Sequence, residues 1–178
     1  MSQVRVDVIS IGALSRNLLW NETEAARTPH STCTLIRAGK KNILIDPGLP
    51  AVVMVPRLAE RSGLKPEQID IVFLTNLRPA HRAGLAAFPK AAHLVHENER
   101  TATLSHLSAM SESIEDKGDR AVVEREIQLI SRIKAADDKL APQVDLFPLT
   151  GFTPGTCGVL VTSPTHAILI ASDAVATR

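Results

Sequence analysis

The chain has 178 residues, 44% hydrophobic and 22% charged, an ordinary globular composition that leaves no room for a disordered or low-complexity reading. Lys and Arg number 20 against 19 Asp and Glu, so a net charge of +1 offers no basic excess for phosphates. With no Tyr, one Trp and four Phe there are few base-stacking platforms, and nucleic acid is not an expected partner. This length predicts a single domain, 1–178. No apolar run approaches the ~20 residues of a membrane span and no signal-peptide pattern opens the chain, so a cytoplasmic location with no membrane partner is expected.

Val4, Val6 and Val8 alternate with Arg5 and Asp7, which predicts a half-buried strand to about Ile11. An irregular polar stretch follows, in which Trp20, beside Leu18 and Leu19, is expected as a core plug. The segments 33–37 and 42–46, separated by Ala38-Gly39-Lys40-Lys41, predict a hairpin that Asp46-Pro47-Gly48 stops. A helix is predicted over about 51–61, closed by Gly63. The run 69–75 is short, β-branched and bounded by turn residues, hence a buried strand. It ends in Asn76-Leu77-Arg78-Pro79-Ala80-His81, and a further strand is predicted near 92–96.

Over 98–140 the composition turns charged and Pro-free with helical spacing. Val122, Leu129, Ile133, Ala136 and Leu140 fall on one face, and Gly118-Asp119 divides two predicted helices that cover one side of a sheet. The tail returns to strand at 144–149, 158–162 and 167–171. Strands, then helices, then strands predict a layered α/β or α+β fold. Cys33 and Cys157 lie far apart without a CxxC, so both are expected as reduced, buried thiols. His30, His93, His96, His106 and His166 show no paired ligand spacing.

Three segments together resemble the metallo-β-lactamase superfamily. They are the hairpin STCTLIRAGKKNILIDPGLP, the stretch LKPEQIDIVFLTNLRPAHRAGLAAFPKAAHLVHENE, and LFPLTGFTPGTCGVLVTSPTHAILIASDAV. The resemblance implies a metallo-β-lactamase-like αββα sandwich. In that family the loop after the buried strand reads His-x-His-x-Asp-His, because a two-metal site gathers several imidazoles and carboxylates at one sheet edge. The same positions here are Asn76, Leu77, Arg78, Pro79, Ala80 and His81. The next family histidine falls on Thr156, the bridging aspartate is matched by Asp173, and Asp46 ends the strand that delivers an aspartate to the edge. The family's final histidine lies well beyond that aspartate, whereas this chain ends at Arg178. A fold shortened at the C-terminus is therefore expected, with a homodimer covering the sheet reached by 167–171.

His81 and Asp173 are the weak metal candidates, fewer than the three protein ligands usual for catalytic zinc. A guanidinium about 5 Å from a divalent ion costs roughly 7 kcal/mol at an effective dielectric of about 20, so Arg78 opposes a metal. No cofactor is expected. Arg78 is expected instead to take the metal's electrostatic place, pairing with Asp173 or Asp46. The depleted ligand set predicts a non-catalytic pseudoenzyme, a small-molecule or protein binding module whose Arg78 suits a small anionic ligand. The alternative is a metal-dependent hydrolase with a reduced single-metal site from His81 and Asp173, with Cys157 and Asn76 as further donors. A third reading is a metal-free thiol enzyme built on Cys157 and His81.

Overall fold

The computed structural model describes residues 4–175. Their contacts form two compact units, one running to Leu74 and including Arg78–Ala91, the other made of Thr75–Leu77 and the chain from Ala92 onward.

The first unit is built on β1 (Arg5–Ser10), β2 (Cys33–Ala38), β3 (Lys41–Ile45) and β4 (Ile71–Leu74). β2 and β3 form the predicted hairpin, Ala38 opposite Lys41, with Gly39 taking the left-handed conformation (φ 62°) that the tight connection requires. β3 and β4 are parallel, joined across α1 (Ala51–Ser62), which ends at Gly63 as predicted. On α1, Met54 and Leu58 share a face by their spacing of four and are fully buried. β4 is buried along its whole length, the pattern of a strand covered on both faces. A single helical turn, α2 (Pro79–Arg82), opens on Pro79, whose missing N–H is no loss at a helix start.

Two expectations fail here for identifiable reasons. Strict alternation would bury Val8, but a register shift between Val8 and Ser10 against β2 leaves Val8 52% exposed and turns Ile9 into the core at 1%. Trp20 is not a core plug: it sits in a 3-10 turn, Leu18–Trp20, at 69% exposure, with the Arg27 guanidinium 5.9 Å from its ring centroid.

The second unit begins with β5 (Ala92–Val95) and continues through α3 (Glu97–Ser113) and α4 (Lys117–Ser131) to β6 (Lys134–Ala135), which pairs parallel with β5. Then come β7 (Lys139–Ala141), β8 (Val144–Pro148), β9 (Cys157–Thr162) and β10 (Ala167–Ile170), an antiparallel sheet in the order β10-β9-β8-β7.

The two predicted helices exist, but their limits differ. The break lies at 114–116, because the Asp116 carboxylate accepts the Asp119 N–H at 2.9 Å and caps α4, overriding Gly118 as a breaker. The predicted helical face also runs too far. Helix ends at Ser131, and the residues to 140 are claimed by the short strands β6 and β7, with the Leu146 N–H bonded to the Asp138 carbonyl at 2.8 Å. Of the predicted face, Val122 and Leu129 are 61% and 40% exposed, whereas Ile133 and, next to Leu129, Ile130 are buried. The mixed α/β class read from the sequence is the class observed. Among the described residues no helix is long and apolar enough to cross a membrane.

The inverted register at the end of β1 makes a direct test. Ile9→Ala is expected to destabilise the fold by about 2–4 kcal/mol in urea unfolding, and Val8→Ala by no more than about 0.5 kcal/mol. The reverse ranking would place Val8, as the alternation implies, in the core.

Candidate functional site

In the first unit, the loop after β3 carries Asp46 in the left-handed region (φ 50°), a conformation aspartate tolerates better than most residues. Its N–H donates to the Phe73 carbonyl at 3.1 Å, extending the β3–β4 pairing by one rung. Asp46 lies against α2: His81 Nδ1 stands 3.0 Å from Asp46 Oδ2, with the side chains 4% and 3% exposed. An ionised carboxylate only accepts, so this contact places a proton on Nδ1. Glycine is required at 48, where a Cβ would lie 2.2 Å from the Ala80 carbonyl oxygen. Ser31 closes the loop from the other side, its N–H donating to the Ala80 carbonyl at 2.9 Å and its hydroxyl to the Asp46 carbonyl at 3.2 Å. Arg78 precedes α2 with its side chain exposed, and its carbonyl accepts the His81 N–H at 2.9 Å.

In the second unit, Asn76 is fully buried and its Nδ2 donates to Asp173 Oδ2 at 3.0 Å. The neighbouring Thr75 and Ser172 hydroxyls are 2.6 Å apart, with Ser172 also left-handed (φ 53°). The Cys157 N–H donates to the Thr75 carbonyl at 2.9 Å, fixing the start of β9 beside Asn76.

Sequence reasoning missed a third carboxylate. Glu99, in the first turn of α3, is 2% exposed, and its oxygens accept the Leu77 N–H at 3.0 Å, the Gly155 N–H at 3.1 Å and the Thr153 hydroxyl at 2.6 Å. Gly155 admits this approach, since a Cβ there would lie 2.0 Å from the Glu99 nitrogen. Thr153 has spent its one proton on Glu99, so the 2.5 Å contact between the Thr153 and Thr156 hydroxyls takes its proton from Thr156. Thr156 also accepts the Thr153 N–H at 3.1 Å. The residue at the family's histidine position is thus held within its own turn. The one legible signal was an acidic residue early in a helix, which sequence reads as favourable to the helix dipole and solvated.

Cys33 and Cys157 are buried thiols, as expected. Burial pushes the Cys157 thiol up to about 11, with the Asp138 charge adding to it against a backbone hydrogen bond at Phe147. Burial, then the Asp46 charge, also raises Cys33 well above the ordinary range. This is the opposite of what a thiol nucleophile needs. Among the described residues, no group of three or more His, Cys, Asp or Glu is placed to hold a metal ion.

Glu99→Gln is expected to lower stability by about 3 kcal/mol in urea unfolding, because an amide cannot accept all three donors. Glu97→Gln, an exposed control on the same turn, should change it by no more than about 0.5 kcal/mol. For the thiol the sign follows from a folded value near 11 above an ordinary value of 9.0. The stability that Cys157 contributes by remaining neutral is complete below pH 9 and is lost as pH rises from 9 to 11. At pH 8, iodoacetamide should leave Cys157 unmodified in the native protein while labelling it in urea, as read by peptide mass spectrometry. Fast native labelling at pH 8 would restore the thiol-enzyme reading.

No curated protein sequence matches this chain. The fold is similar to a putative metallo-β-lactamase from Thermotoga maritima at TM-score 0.67 and 17% identity, covering 94% of this chain and 77% of that one. A probable metal-dependent hydrolase from Staphylococcus aureus is similar at TM-score 0.62 and 18% identity, covering 94% and 71%. AidC, a dizinc quorum-quenching lactonase solved with a homoserine product, is similar at TM-score 0.60 and 17% identity. The match covers 78% of this chain but only 54% of AidC. The metallo-beta-lactamase superfamily matches residues 27–178, and with the hairpin ending at Asp46 and the strand before Asn76 in the order the family requires, the chain belongs to that superfamily.

Proposed function

We propose that this protein is a metallo-β-lactamase-fold binding module that does not carry out the metal-dependent hydrolysis of its family. The observation that carries this reading is the engagement of the surviving ligand-type residues with the protein itself. Asp46 is bonded to His81 at 3.0 Å with both buried, and Asp173 receives the Asn76 amide at 3.0 Å. A catalytic zinc takes three protein ligands, normally His, Cys or carboxylate. Of the loop positions that supply them in the family, 76, 78 and 80 hold Asn, Arg and Ala, and position 156 holds Thr. The donor set does not fit a zinc pair. Arg78 adds a fixed positive charge in the same loop and stands in electrostatically for a metal, which suits the loop to a small anion. A homodimer belongs to the same proposal, favoured by the edge strand β10, which carries no charged residue to discourage pairing.

The test is metal content by mass spectrometry of protein purified without chelator, alongside Arg78→His, with light scattering on the same preparation. The expected result is less than about 0.1 zinc per chain in the unchanged protein and more in Arg78→His, at twice the mass of one chain. Stoichiometric zinc in the unchanged protein would overturn the proposal in favour of a hydrolase with a reduced single-metal site at His81 and Asp173.

A further inference from the structure

Between the end of β1 and the outer side of α1, within the first unit, runs a cavity of about 480 Å³. Its apolar part is lined by Val8, Ile11, Leu49 and Val53, and its polar part by Ser10, His30, Arg57 and Arg61. Among the described residues no acidic side chain lines it.

Three features make this a formed site. First, Val53, Arg57 and Arg61 recur every four residues, so they stand in one stripe about 12 Å long at 1.5 Å per residue, beside the buried stripe of Met54 and Leu58. The stripe passes from apolar to cationic along its length. Second, the register shift in β1 turns Val8 outward, and Val8, Ile11 and Val53 remain 52%, 80% and 43% exposed. Third, hydrogen bonds fix the facing wall: the Ala13 N–H donates to the His30 carbonyl at 2.9 Å, and His30 Nε2 lies 3.2 Å from the Ile11 carbonyl. The cations also have capacity to spare. Among the described residues Arg57 meets only Glu60, on the exposed face of the helix at 3.3 Å, and no ion pair engages Arg61.

We propose that this groove binds a small amphipathic carboxylate. Its apolar chain lies over Val8, Ile11, Leu49 and Val53, and its carboxylate is received by the forks of Arg57 and Arg61. Charge complementarity selects this occupant: a neutral apolar molecule leaves the Arg61 guanidinium unanswered and Arg57 with Glu60 alone, and a bare anion leaves the apolar wall in water. The groove contains none of Asp46, Arg78, His81 or Asp173, so the inference stands whether or not those residues ever hold a metal.

Calorimetric titration of the whole protein with decanoate, below its aggregation concentration, tests this against decanol and inorganic phosphate. The expected result is saturable binding of one decanoate per chain, with decanol and phosphate each at least about tenfold weaker. Arg61→Gln and Val53→Asn, both at exposed positions, should each weaken decanoate about tenfold without changing the melting temperature. Absence of saturable decanoate binding would overturn the proposal. So would decanol or phosphate binding as tightly as decanoate, or decanoate affinity indifferent to both substitutions.

Discussion

A carboxylate taken out of water loses several kcal/mol of solvation unless a donor replaces it, and the loop after β3 is arranged around that requirement. Asp46 is 2% exposed and meets His81 Nδ1 at 3.0 Å. For the imidazole to arrive there, α2 must lie against the Asp46-Pro47-Gly48 turn, and it does so only because residue 48 has no Cβ to strike the Ala80 carbonyl. The Gly84 N–H then bonds to the Pro47 carbonyl at 2.8 Å, closing the far end of the same contact. One buried charge thus fixes a backbone conformation, a glycine and the seating of a helical turn. The second unit repeats the logic with different groups, where Glu99 gathers a backbone N–H from Leu77, another from Gly155 and the hydroxyl of Thr153.

Where local chemistry had a single solution, the sequence was enough. The hairpin at Gly39, the end of α1 at Gly63 and the buried strand β4 each follow from a turn residue or an uninterrupted apolar run. It failed where two local rules competed. Alternation in β1 was overridden by a bulge, which moves every later side chain to the other face, so Val8 and Ile9 exchange places. Gly118 gave way to the capping carboxylate of Asp116, and the helical periodicity past Ser131 gave way to strand pairing that no local pattern announces. Trp20, beside Leu18 and Leu19, reads as a core plug, but an apolar side chain need not be buried when a guanidinium covers one face of its ring.

The candidate site was legible in part, for a related reason. Departure from the family's ligand pattern is a matter of residue identity, which a sequence displays directly. Partnership is a matter of distance. Asp46 read as a turn residue proved to be a turn residue and a buried hydrogen-bond acceptor at once, with His81 as the partner at 3.0 Å. Glu99 was invisible because its flanking residues Glu97, Asn98 and Arg100 are the kind a solvated helix displays. Only the return of the chain at Thr153 and Gly155 turns that one position inward.

On the reading proposed above, this separation is how a family fold persists while its chemistry is rewritten. A metal ion satisfies several anionic and imidazole groups at once, so removing it exposes each of them to the cost of burial without a partner. The cost vanishes if the substituted residues are themselves donors. Asn76 brings an amide hydrogen to Asp173, and Thr156 brings a hydroxyl that is consumed within its own turn, at 3.0 Å and 2.5 Å respectively. Neither residue lies in β2, β3 or β4, whose buried positions are apolar apart from Thr34. On that reading the backbone of these loops has only to keep the hydrogen bonds satisfied. That is a weaker demand on residue identity than metal coordination.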